Sequence, residues 1–173
     1  EIDAAWNPRE VHKLIGIRGS EKVDGGAWAD WNGDGLFDLL VVGNEAADVE
    51  VYFGKPDGTY QNLTKHFRDK YRLGGQEYMP VVDEFNNILG LDLVLGDRIW
   101  YQNGREIVDG ISVPILDGPY PVGVHDEDIR GVVALSIRQG IRDLAYAEKF
   151  GAPKYMQNNT PAGSNWLDIS VTD

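Results

Sequence analysis

Hydrophobic positions along this chain come in short runs. "LFDLLVVG", "VEVYFG", "LDLVLG", "RIWYQNG", "VVALSI" and "DLAYA" are rich in Val, Ile, Leu and aromatic residues and are flanked by Gly, Asn, Asp or charged side chains. Runs of this length, bounded by turn formers and lacking a helical period, predict β-strands. One segment differs: in "NLTKHFRDKY", residues 62–71, Leu63, Phe67 and Tyr71 recur every fourth position, which predicts a helical turn or two. The 21 Gly and 8 Pro suit a chain that turns every roughly 8–12 residues. The expected class is all-β.

The runs also repeat in order. Three segments, beginning "GGAWADWNGDGLFDLL", "YMPVVDEFNNILGLDL" and "RGVVALSIRQGIRDL", each pass from an apolar strand through a polar loop to an Asp-Leu pair, then to an aromatic strand. The anchors Asp38, Asp92 and Asp143 lie 54 and 51 positions apart. A period near fifty with about four short strands per unit is that of a β-propeller blade. The expected blades occupy 24–77, 78–129 and 130–173, with 1–23 supplying strands of a preceding blade. An antiparallel sandwich is the alternative; the fixed order of apolar strand, Asp-Leu anchor and aromatic strand favours the propeller. Three blades fall short of the roughly four to eight that close a ring, so another protein chain or further copies are expected to complete it.

The first loop carries the clearest candidate chemistry. In "DWNGDGLFD", side-chain oxygens fall at positions 1, 3, 5 and 9, on Asp30, Asn32, Asp34 and Asp38, with Gly35 at the turn and the Leu36 carbonyl as a further donor. Calcium takes six to eight oxygen ligands at about 2.3–2.6 Å, and alternating oxygens on a tight loop converge on such an ion. Val41 stands where an EF-hand has its bidentate Glu, and the flanks are strand-like, so an EF-hand is excluded. An Asn/Asp/Gly turn without metal is the plainer reading. The other two copies are eroded. In the second, Asp83, Asn87 and Asp92 align with the ligands if one residue is inserted and Phe85 fills a ligand position; in the third, Gly140 and Asp143 remain. Metal is expected in the first copy alone, with Arg138 or Arg142 pairing with Asp143 in the third.

These residues resemble an FG-GAP repeat, of the kind found in integrin α-subunit propellers and more closely in the cartilage acidic protein group. The first copy carries the likeness through Asp30, Asn32, Asp34, Gly35, Asp38 and "KPDGTYQNLT", the third through "GAPKYMQNN" and "GSNWLDISV". The resemblance implies a calcium-stabilised, extracellular β-propeller used for binding, such as protein–protein interaction or cell adhesion, and not for catalysis.

Composition narrows the partners. Sixteen basic against 28 acidic residues give a formal charge of −12, which repels nucleic acid and anionic membrane surfaces. No run is apolar enough to insert into a bilayer as a helix. With no Cys, disulfides, thiolate metal sites and Cys nucleophiles are all absent. The sequons at Asn62 and Asn158 point towards a secreted or cell-surface glycoprotein. His12, His66 and His125 make no zinc spacing, and nucleotide-binding and GxSxG signatures are missing. A carbohydrate-binding lectin or propeller-type carbohydrate-active enzyme is the second reading. Asp97, Trp100 and Tyr101, or the acidic turn His125–Asp128, would supply a stacking platform and an acid–base pair to a glycan ligand. The aromatic residues Trp28, Trp31, Trp100, Tyr101 and Trp166 are expected to pack between blades.

Overall fold

The computed structural model describes residues 16–17, 23–43, 49–73, 80–86, 88, 90–122, 129–138, 141–148, 151–158 and 169–172. His12, Asn87, residues 125–128, Gly140 and Trp166 lie outside them. The chain is mostly β, in three antiparallel sheets of four strands, each strand pairing with the next in sequence. Sheet 1 contains β1 (Val23–Ala29), β2 (Asp38–Gly43), β3 (Val49–Gly54) and β4 (Tyr60–Asn62). Sheet 2 contains β5 (Pro80–Asp83), β6 (Asp92–Leu95), β7 (Arg98–Val108) and β8 (Ile111–Pro121). Sheet 3 contains β9 (Ile129–Arg138), β10 (Ile141–Glu148), β11 (Lys154–Asn158) and β12 (Ile169–Thr172).

The period of two along a strand explains how the sheets stack. In β6, Leu93 and Leu95 join a core shared with Leu40, Val42, Val51 and Phe53 of sheet 1, while Val94 joins a second core with Leu144, Tyr146 and Met156 of sheet 3. Ile99 and Trp100 of β7 divide in the same way, Ile99 towards sheet 3 and Trp100 towards sheet 1. Sheet 2 is therefore apolar on both faces and lies between its neighbours. A two-sheet sandwich does not describe this stack. β1 lies beside β5, and β5 beside β9, so the first strands of the three sheets are neighbours without pairing. Among the described residues no sheet closes on itself.

The helix expected over 62–71 is α1, Thr64–Tyr71, which buries Phe67 and Tyr71. Phe67 stacks at 5.3 Å from Trp31 and 5.7 Å from Phe53, three rings that join helix, loop and sheet. Each such pair adds about 0.5–1.5 kcal/mol beyond the area it buries. The helix start is tied to sheet 1 because the Val51 N–H donates to Thr64 Oγ1 at 3.0 Å. It ends at Arg72, in the left-handed region, whose N–H returns to the Arg68 carbonyl.

Candidate functional site

Each sheet carries a buried aspartate in its second strand, and each accepts a backbone N–H from the third strand. Asp38, Asp92 and Asp143 are 0%, 1% and 0% exposed. Asp38 Oδ1 accepts the Gly54 N–H at 3.0 Å, Asp92 Oδ1 the Gln102 N–H at 2.8 Å, and Asp143 Oδ1 the Asn158 N–H at 2.7 Å. The Oδ2 atoms turn to nearby donors: Trp31 N–H (2.9 Å) and Asn32 N–H (3.3 Å) for Asp38, Phe85 N–H (2.9 Å) for Asp92, the Tyr155 hydroxyl (2.7 Å) for Asp143. A buried N–H without an acceptor costs about 1–3 kcal/mol, so Asp38 and Asp92 fix their loops to the third strand, while Asp143 bonds to the third strand through both of its oxygens. Desolvation pushes Asp38 and Asp92 up to about 7, against the downward pull of these N–H donors; Asp34 adds to the rise at Asp38.

Strand pairing corrects the alignment of the second loop. Asp83 lies opposite Asp92 as Ala29 lies opposite Asp38. Glu84 therefore stands in the place of Asp30, Phe85 of Trp31, Asn86 of Asn32 and Ile88 of Asp34, with no residue inserted. The aromatic sets this register: Trp31 and Phe85 are both buried core residues directly after the acidic position. Asn86 Oδ1 accepts the Ile88 N–H at 2.8 Å, as Asn32 Oδ1 accepts the Asp34 N–H at 3.0 Å. In sheet 3, Leu135 faces Asp143, so that connection is one residue shorter. The pairing expected between Arg142 and Asp143 is replaced by one across sheets: Arg142 Nε lies 3.0 Å from Asp83 Oδ2. The Arg138 side chain lies outside the described residues.

The first loop is wound around its acidic side chains. Asp30 Oδ1 and Oδ2 accept the N–H groups of Asp34 and Gly35, each at 2.9 Å. Asp34 Oδ1 accepts the Leu36 N–H at 2.9 Å, and Asp34 Oδ2 the Asn32 side-chain amide at 3.0 Å. Asn32 also donates to the Ser112 carbonyl of β8 at 2.9 Å, and Trp31 Nε1 to the Leu91 carbonyl at 2.9 Å, so the loop is fastened to sheet 2. Among the described residues no three His, Cys, Asp or Glu side chains gather into a metal-holding group. The oxygen donors of the loop are two carboxylates (Asp30, Asp34), the amide oxygen of the buried Asn32 and the carbonyl of the half-buried Leu36. Asp38 is committed inward, to backbone N–H groups. A carboxylate has about four lone-pair sites and an amide oxygen two, so Asp30, Asn32 and Asp34 retain acceptor capacity. Such hard oxygen donors suit calcium rather than a softer metal.

Several residues that shape these loops escaped the sequence reading. The residue donating its N–H to the anchor is Gly54 in sheet 1, where a Cβ would fall 2.7 Å from the Phe37 carbonyl oxygen. In sheet 2 it is Gln102, buried, whose Oε1 accepts the Leu91 N–H at 3.0 Å and whose side chain covers Gly90. In sheet 3 it is Asn158, whose Nδ2 donates to the Phe85 carbonyl at 2.7 Å. The Asn158 nitrogen, the atom a glycan would occupy, is engaged in this bridge to sheet 2 on a residue that is 2% exposed. Asn62 is exposed, with Oδ1 accepting the Thr64 N–H at 3.0 Å. Trp100 is buried in the core between sheets 1 and 2, so it offers no stacking face to a sugar.

A second polar cluster joins α1 to β7. Glu106 Oε1 lies 3.0 Å from His66 Nε2, 2.6 Å from Lys70 Nζ and 3.3 Å from the Tyr71 hydroxyl. The Lys70 ammonium holds Glu106 below the usual carboxylate range. The only sequence signal for this cluster is the helical spacing of His66 and Lys70; nothing marked Glu106 as their partner. No family model and no curated protein matches this chain.

Proposed function

We propose that this chain is a calcium-stabilised, non-enzymatic binding and assembly module, built of FG-GAP-type blades of an extracellular β-propeller. The observation that carries this reading is the threefold recurrence of one unit. Each is a four-stranded antiparallel meander, each has a buried Asp on its second strand that accepts an N–H from the third, and the three first strands lie side by side. That is the arrangement by which propeller blades set their inner strands around an axis.

In this reading Asp30, Asn32, Asp34 and the Leu36 carbonyl would hold the ion, with Asp38 ordering the loop from behind. The ion supplies charge neutralisation and order to the turn, and no chemistry. Loops two and three dispense with it. Ile88 stands where an acidic ligand would be needed, and Gln102 satisfies the loop N–H of Leu91 directly. Assembly with another chain or further copies is supported by the two outer sheets of the stack, where Trp28 on β1 and Val133 on β9 are 59% and 51% exposed. Sedimentation equilibrium at micromolar concentration tests this: self-association, or capture of a co-purifying chain carrying similar repeats, is expected. A stable monomer with no partner would contradict it.

A further inference from the structure

The cleft between loops one and two holds a cation of its own. It has a volume of about 450 Å³ and is lined by Asp30, Trp31 and Gly33 on one side, Glu84 and Leu91 on the other, and Arg105 from β7. A Cβ on Gly33 would fall 2.5 Å from Arg105 Nη2, so the guanidinium rests on the backbone in the middle of the acidic loop. Among the described residues no carboxylate lies at salt-bridge distance from it; Asp30 and Glu84 line the same cleft. The strand β7 treats both loops alike. Gln102 is laid over Gly90 of loop two, and Arg105 over Gly33 of loop one. The difference is charge: loop two, where Ile88 stands in the place of Asp34, receives a neutral amide, and loop one, which keeps Asp34, receives a guanidinium.

We propose that Arg105 is a tethered counter-ion that sets the calcium affinity of loop one, opposing the ion and lowering its affinity. The proposal rests on the calcium reading above. A fixed positive charge raises the free energy of a divalent ion bound close to it, and ligand charge count is what tunes calcium loops across their range of affinities. Because Arg105 belongs to sheet 2, the affinity of the loop depends on sheets 1 and 2 being docked.

The test is calcium titration calorimetry on the full chain at low ionic strength, comparing wild type, Arg105→Gln, Arg105→Lys and Asp34→Ala. At the spacing of neighbouring side chains, removal of one unit charge is expected to tighten calcium binding roughly fivefold to tenfold in Arg105→Gln. Arg105→Lys, which keeps the charge, should stay near wild type, and the Gln effect should shrink in high salt, where exposed charges are screened. Binding that is lost in Asp34→Ala but equal or weaker in Arg105→Gln overturns the role of Arg105 alone. Absence of binding in every variant, or wild-type binding in Asp34→Ala, overturns the calcium reading together with it.

Discussion

Replacing Asp92 by Asn separates the two things its carboxyl does: accepting hydrogen bonds and carrying a buried charge. Asp92 accepts N–H groups from Phe85 and Gln102 at 2.9 and 2.8 Å, and burial pushes it from 3.8 up to about 7. With the folded value above the unfolded one, the folded state keeps a proton that the unfolded state has released. Stability from this group is therefore present below the unfolded value and is lost as the pH rises to about 7. The size of that loss is on the order of 4 kcal/mol, from 1.36 kcal/mol per unit of pKa difference. Asn cannot titrate, and its NH2 group faces one of the two N–H donors, which costs about 1–3 kcal/mol at any pH. The variant is thus expected to be less stable than wild type at pH 4 and equal or more stable at pH 8. Urea unfolding followed by Trp fluorescence at a series of pH values measures this directly. Asp38 and the surface carboxylates titrate in both proteins, so the difference between the curves isolates Asp92. Parallel curves with a constant gap would refute the reasoning, because they would mean that the N–H donors hold the carboxyl near its ordinary value.

Gln102→Ala strips the acceptor from the partly buried Leu91 N–H and uncovers Gly90, and should cost about 1–3 kcal/mol; amide exchange at Leu91 should accelerate with the drop in urea stability. Glu106→Gln removes the charge that gathers His66, Lys70 and Tyr71, and the partial exposure of Glu106, His66 and Lys70 makes its cost about 1 kcal/mol. The Glu106 contribution is present above the ordinary carboxylate range and is lost as the pH falls through its lowered value, so wild type and Glu106→Gln should converge in acid unfolding curves. Leu93→Ala, in the core between sheets 1 and 2, should lower stability by about 2–5 kcal/mol and accelerate exchange in β2 and β6 before β10.

The β class, the helix and the Asp-Leu anchors were legible because each rests on a local pattern: short apolar runs bounded by turn formers, a period near four, and an acid directly before an apolar strand. The register of the second loop was not. Its acidic and amide residues admit two alignments, and the pairing of Asp83 with Asp92, together with the burial of Phe85 in the place of Trp31, decides between them. Asn158 carries a sequon, yet its amide bridges to a carbonyl 73 residues away, a partner that no local pattern announces. Arg105 and Glu106 escaped for the same reason. They act on Gly33 and on α1 across a sheet boundary, so their roles exist only after sheets 1 and 2 have docked.

The central claim is that the loop from Asp30 to Asp38 holds calcium and that the ion stabilises the sheet it borders. Thermal unfolding of wild type and Asp34→Ala, in chelator and in roughly 5 mM calcium, tests it most directly. For an affinity of about 10⁻⁴–10⁻³ M, mass action gives about 1–2 kcal/mol of stabilisation, which in a chain of this length raises the melting temperature by roughly 2–8 °C. The account predicts that rise in wild type and its absence in Asp34→Ala; identical melting of wild type with and without calcium would contradict it.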